Sequence, residues 1–249
     1  MAGHSKWAGI KHKKAIVDAR RGKLFTKLAR AITVAARDGG GSVDANPALG
    51  LAVQKARDAS MPKDNIQRAI DRGTGEGADA AAIESVVYEG YGPGGAAVLV
   101  DTLTDNRNRT GAEVRNLFDK SGGNLGEPGS VAWQFEKKGV VLVDGDRFSE
   151  DDLMPAIDAG AEDVREDGDK LRVLCEPTDL TAVRAALEES GVEIESAGLA
   201  TEPKSSVEVK GHDAERLLKL LDDLDEQDDV DEVFANFDIP EDVLEQLAA

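Results

Sequence analysis

A single cysteine in 249 residues, Cys175, excludes an intrachain disulfide and suits a reducing compartment. The histidines are only three, His4, His12 and His212. With one thiol they cannot assemble a standard zinc site, so neither metal nor cofactor is expected. No apolar run approaches the roughly 18–20 residues that cross a bilayer, so no membrane partner is expected. The N-terminus carries the positive charge of a signal peptide without the apolar stretch that must follow it, and Ala2 replaces the glycine that N-myristoylation needs. The expected location is therefore the cytoplasm. Catalytic signatures are missing as well: there is no nucleophile elbow, P-loop or H-E-x-x-H segment, and the expectation is a protein that is not an enzyme. Aromatic residues make up 4% of the chain, which gives weight to any that stand in polar surroundings.

What the chain does have is charge, unevenly placed. The formal net charge is −19, yet the first 37 residues carry ten Lys/Arg against one acid, Asp18. Residues 1–80 hold 15 basic and 8 acidic side chains, a net of +7, whereas residues 81–249 hold 15 and 41, a net of −26. A basic head on an acidic body points to a polyanion as partner for the head, with nucleic acid foremost. Lys6, Lys11, His12, Lys13 and Lys14 surround Trp7, whose indole can stack on a base or anchor the arm on the first helices. Further on, Arg20, Lys23, Lys27, Arg30 and Arg37 recur at 3, 4, 3 and 7 residues, within roughly 100° of a helix surface and away from the apolar stripe of Leu24, Phe25, Leu28, Ile32 and Ala35. Together with Arg21, these are the candidate phosphate contacts.

Composition divides the chain. Residues 15–73 read as three helices. The first is interrupted at Gly22 and ended by Gly39-Gly40-Gly41, the second is opened by Asn46-Pro47, and the third runs from Pro62 to Gly73. A linker follows at 74–79. Beyond residue 83, strands alternate with helices: two strands around Gly90–Gly95, a helix over 109–120, then Ser130–Phe135 and Gly139–Val143 as a hairpin. From the second strand of that hairpin the order is β-α-β-β-α-β, the ferredoxin-like arrangement. Strand Ser206–Val209, helix Ala214–Leu224 and strand Val230–Phe237 are too few for a sealed domain, so they return to the sheet begun at 83–125. The expected fold is α+β: a helical domain at 1–80, a split domain at 81–137 plus 201–249, and an inserted ferredoxin-like domain at 138–200.

Several local patterns have two readings. Gly90-Tyr91-Gly92-Pro93-Gly94-Gly95 fits G-x-G-x-x-G, but a strand-like run follows it where a helix should open, so a tight strand connection is favoured. Asn106, Arg107, Asn108 and Arg109 stand where a strand meets a helix N-terminus, and read equally as an anion or partner contact or as a capped turn. The run Asp222–Asp229 reads as a solvated helix end, or as a docking surface for a basic protein. Cys175 reads as a packed residue.

The segments Ala2-Gly3-His4-Ser5-Lys6-Trp7, Ile10-Lys11-His12-Lys13-Lys14 and Met61-Pro62-Lys63-Asp64-Asn65-Ile66 closely resemble the YebC/PmpR family of bacterial regulatory proteins. So do Tyr88–Gly95, Thr104–Thr110 and Gly129–Phe135, and the likeness runs along almost the whole chain. The resemblance implies a helical head and two α+β domains, one split in sequence. It also implies a cytoplasmic protein that binds DNA and regulates transcription without catalysis. A mitochondrial relative is a translational activator, and bacterial members are connected with ribosomes stalled on proline-rich stretches. The resemblance therefore carries a second reading, a translation factor bound to ribosomal RNA.

Overall fold

The computed structural model describes residues 18–75 and 83–240, with side chains from residue 22 onward. Three helices form the head: α1 (Asp18–Gly39), α2 (Pro47–Asp58) and α3 (Lys63–Gly73). Gly22 does not interrupt α1. The helix passes through it, and its propensity cost of about 1 kcal/mol is small beside the burial of the apolar face. That face packs Ile32 and Ala36 against Leu49, Val53, Ala56, Ile66 and Ile70.

Asn46 closes the corner between α1 and α2. Its carbonyl oxygen accepts the Leu49 N–H at 3.1 Å as an N-cap, while its amide donates to the carbonyls of Ala35 at 2.8 Å and Gly40 at 2.9 Å. All this happens at a buried position. Asn46→Ala removes a cap and strands two carbonyls, and is expected to destabilise the protein by about 2 kcal/mol, read by chemical denaturation of the full chain.

The first sheet is antiparallel and ordered β3-β1-β2-β9, from β1 (Glu84–Tyr91), β2 (Ala97–Thr104), β3 (Asn124–Leu125) and β9 (Val230–Ala235). Between these strands in sequence lie α4 (Arg107–Ser121), the inserted domain and α7 (Gly211–Asp225). Alternation along β2 builds two cores. Val98 and Val100 meet Phe118, Leu217, Leu220 and Leu224 from the helices, while Ala97 and Leu99 meet Val131, Phe135 and Phe234 on the other face. The glycine-rich segment is a tight β1–β2 connection in which Gly94 (φ 72°) and Gly95 (φ 80°) take the left-handed conformation.

The expected strand Val230–Phe237 is broken. At position 236 a side chain takes over half of the ladder: the Asn236 N–H still donates to the Ala97 carbonyl at 3.1 Å, but the Ala97 N–H goes to the Asn236 side-chain oxygen at 2.7 Å, and the side-chain amide donates to Gln134 at 2.9 Å. The chain then turns away as β10 (Phe237–Asp238), which pairs in parallel with β8 (Val207–Glu208) in a separate ribbon.

The second sheet is the ferredoxin-like one, ordered β5-β6-β4-β7 with every neighbour antiparallel. Its elements are β4 (Phe135–Asp144), α5 (Met154–Asp158), β5 (Ala161–Asp167), β6 (Lys170–Cys175), α6 (Leu180–Glu189) and β7 (Ile194–Pro203). The expected hairpin of 130–135 with 139–143 does not form. A short 3-10 turn occupies Ala132–Gln134, and β4 runs unbroken through Gly139. The expected turn at 136–138 is strand, and Gly139 lies inside it: a Cβ there would stand 2.6 Å from the Cys175 sulfur and 3.0 Å from Leu180 Cβ, so the glycine marks close packing.

Candidate nucleic-acid interface

The arm residues Lys6, Trp7, Lys11, His12, Lys13 and Lys14 lie outside the described residues, and Arg20 and Arg21 stand on the first turn of α1, before the described side chains begin. The described part of the stripe is Lys23, Lys27, Arg30 and Arg37. Sequence periodicity leaves this face open to phosphates, but the structure turns it against the body. Lys23 Nζ donates to the Glu226 carbonyl at 3.4 Å, and Lys27 Nζ donates to the Asp225 carbonyl with that carboxylate 3.7 Å away. Arg30 donates to the Asp228 carbonyl at 2.6 Å and to the Asp229 carboxylate. Arg37 donates to the Ile83 carbonyl and, at 2.8 Å, to Asp38.

The physical reason lies at the end of α7. The last carbonyls of a helix have no partner within it and carry the negative end of its dipole, which favours cations there. Asp225 ends α7 and Glu226 follows it as the cap. The acidic run is therefore a docking surface for a basic element of the same chain.

Asp229 anchors this contact. Only 4% exposed, it takes Arg30 from the head, Arg109 at 2.7 Å and the Thr110 hydroxyl at 2.7 Å, with the Thr104 hydroxyl at 3.2 Å. Burial pushes its carboxyl up, but the Arg109 and Thr110 hydrogen bonds and the Arg30 charge outweigh that and hold it below the usual carboxylate range. The second candidate site is thereby divided. Arg109 is spent on Asp229 and Asp105, and Asn106 accepts the Arg109 N–H at 3.1 Å as the cap of α4. Arg107 and Asn108 stay exposed. The capped-turn reading accounts for Asn106 and Arg109.

The head also presents cations that periodicity on α1 does not single out. Arg57, Lys63 and Arg72 are exposed on α2 and α3 and form no ion pair among the described residues, whereas Lys55 pairs with Glu232 at 2.9 Å. They could have been found as the charged positions between the buried ones of each helix.

A further surface is built by Glu89, a carboxylate on β1 only 7% exposed. It accepts the N–H groups of Gly129, Val131 and Ala132 at 2.7, 2.8 and 2.7 Å. This clamps the segment that carries Trp133, which is 66% exposed with its indole N–H donated to Ser130 at 3.1 Å. Elsewhere, burial pushes the Cys175 thiol up and away from nucleophilic use. Among the described residues no group of His, Cys, Asp or Glu is arranged to hold a metal, and no helix is long and apolar enough to cross a membrane.

Comparison with known proteins places this geometry among relatives. Residues 5–76 match the family model described as the TACO1/YebC protein N-terminal domain, and residues 83–237 match the TACO1/YebC second and third domain. A protein of Rubrobacter xylanophilus named "Probable transcriptional regulatory protein" is 59% identical over the whole of both chains. One of the same name from Mycolicibacterium gilvum is 53% identical, again over all of both. The crystal structure of a conserved hypothetical protein from Aquifex aeolicus superposes with a TM-score of 0.81 at 49% identity, covering 96% of this chain and 98% of that one.

Proposed function

Because the chain belongs to the TACO1/YebC family, we propose that it is a cytoplasmic, non-catalytic regulator of transcription that grips duplex DNA through its basic head. The observation that carries this reading is the charge division: a head of net +7 joined to a body of net −26. The relatives' name, probable transcriptional regulatory protein, supports the choice of DNA as the polymer.

In this reading Lys6, Lys11, His12, Lys13 and Lys14 of the arm, with Arg57, Lys63 and Arg72 on the head surface, neutralise phosphates; Trp7 adds a stacking contact. Such contacts give affinity with little dependence on sequence. The acidic body repels the same polymer and confines the contact to the head. The test is crosslinking in living cells, followed by sequencing of the attached DNA and RNA together. The expected result is recovery of DNA in preference to RNA, spread over many sequences and crosslinked through residues 1–75. Recovery of ribosomal RNA in place of DNA would overturn the choice of polymer and assign the head to the ribosome.

A further inference from the structure

The contacts of α1 raise a steric problem for any phosphate ligand. Lys27 and Arg30 are only 12% and 22% exposed at the side chain, because the end of α7 and its following turn cover them. A duplex cannot reach these two cations while the head stays docked. We propose that residues 225–229 act as a built-in competitor: they hold the basic face of α1 in place of phosphate, and the face is released when a phosphate polymer displaces them. The proposal rests on the nucleic-acid reading above and specifies how that same site is regulated.

The chemistry of the contact suits a competitor. Lys23, Lys27 and Arg30 each take a backbone carbonyl as an acceptor, from Glu226, Asp225 and Asp228 respectively. These acceptors carry partial charge, and exchanging one of them for a phosphate oxygen trades a partial charge for a full one. Ion pairs at a protein surface contribute little individually. A polymer adds the release of its condensed counterions, which a small monovalent anion does not provide. Displacement therefore favours polyphosphate over simple salts, and the docked state filters out weak anions. Only the Arg30–Asp229 pair is buried, and Asp229 keeps Arg109 and Thr110 when Arg30 leaves.

Crosslinking tests this in the full chain. Lys23→Cys and Glu226→Cys replace two exposed positions, and buried Cys175 is shielded from the reagent. One sample is bridged by a short bismaleimide, and the other is capped at both sites with a monofunctional maleimide. Each is titrated with a fluorescent random-sequence DNA duplex at several salt concentrations. The expected result is that the bridged protein binds at least about tenfold more weakly than the capped one, since its competent state is locked out. Its log K against log salt should also be shallower by about 2, because Lys27 and Arg30 are withheld. Equal affinity and equal slope in the two samples overturn the competitor role and leave the DNA reading standing. Absence of binding in both samples and in the unmodified protein overturns the DNA reading, and this proposal with it.

Discussion

Glu89→Leu is expected to lower folding stability by about 4 kcal/mol, among the larger effects of any single substitution in this chain. The side chain sits under the 129–132 segment and accepts three backbone N–H groups, from Gly129, Val131 and Ala132. A hydrogen bond to an ionised acceptor contributes about 1.5–3 kcal/mol, and the buried Val131 donor is poorly placed to find water instead. Leucine fills the volume but accepts nothing. Glu89→Gln keeps one oxygen and should recover part of the loss, which separates hydrogen bonding from packing.

The same carboxylate predicts an acid-sensitive step. Burial raises the Glu89 carboxyl, but the three N–H donors together hold it below its ordinary value of 4.5. Because the folded value is depressed, the contribution is complete above the unfolded value and fades as pH falls through the folded one. Stability measured by denaturant titration should therefore drop below about pH 4.5 in the wild type. In Glu89→Gln that part of the drop should be absent.

Asp229→Ala is expected to cost about 3 kcal/mol and to loosen the head. The substitution strips Arg30 and Arg109 of a shared anion and takes an acceptor from the buried hydroxyls of Thr104 and Thr110. Arg109 is half-exposed and still reaches Asp105 at 2.9 Å, so it rehydrates at modest cost; the greater penalty falls on Arg30 and the threonines. Denaturation midpoints give the stability. Limited trypsin proteolysis gives the second readout, with faster cleavage after Lys27 and Arg30, which the end of α7 covers while the head is docked, as the expected sign that the head has come away. Unchanged cleavage would mean that the α1 carbonyl contacts suffice without the buried anion.

Much of the architecture is legible in local sequence because it rests on local chemistry. Asn46-Pro47 announces a helix start, and the structure has Asn46 in the cap. Ser149 and Asp152 form the capping box their spacing suggests. The order of elements in the inserted domain follows from alternating strand and helix patterns; the return of β9 to β2 follows from the last three elements being too few for a domain of their own, but strand 206–209, expected in the same sheet, pairs with β10 instead. Apart from Gly22, where helix propensity yields to burial of the apolar face, the misreadings share one cause: a residue whose partner is distant in sequence. Residues 136–138 read as a hairpin turn with Gly139 opening the next strand, but β4 runs from Phe135 through them and packs Gly139 against Cys175 and Leu180. Asn236 resembles a strand residue until its amide is seen bridging Ala97 and Gln134. Helical periodicity places Lys23, Lys27 and Arg30 on one face, but says nothing of carbonyls some 200 residues along the chain that meet them. Glu89 had only a faint signal, an acid within the apolar and aromatic residues of β1.

The salt dependence of DNA binding by the intact protein tests the central claim most directly. With the seven Lys/Arg of the arm and head surface neutralising phosphates, and Lys27 and Arg30 joining them on release, log K against log salt should fall with a slope of roughly −6 to −8. Replacing Lys11, Lys13 and Lys14 together by alanine should make the slope shallower by about 3. A protein that retains no duplex even in dilute buffer, or a triple variant with the wild-type slope, would contradict the account.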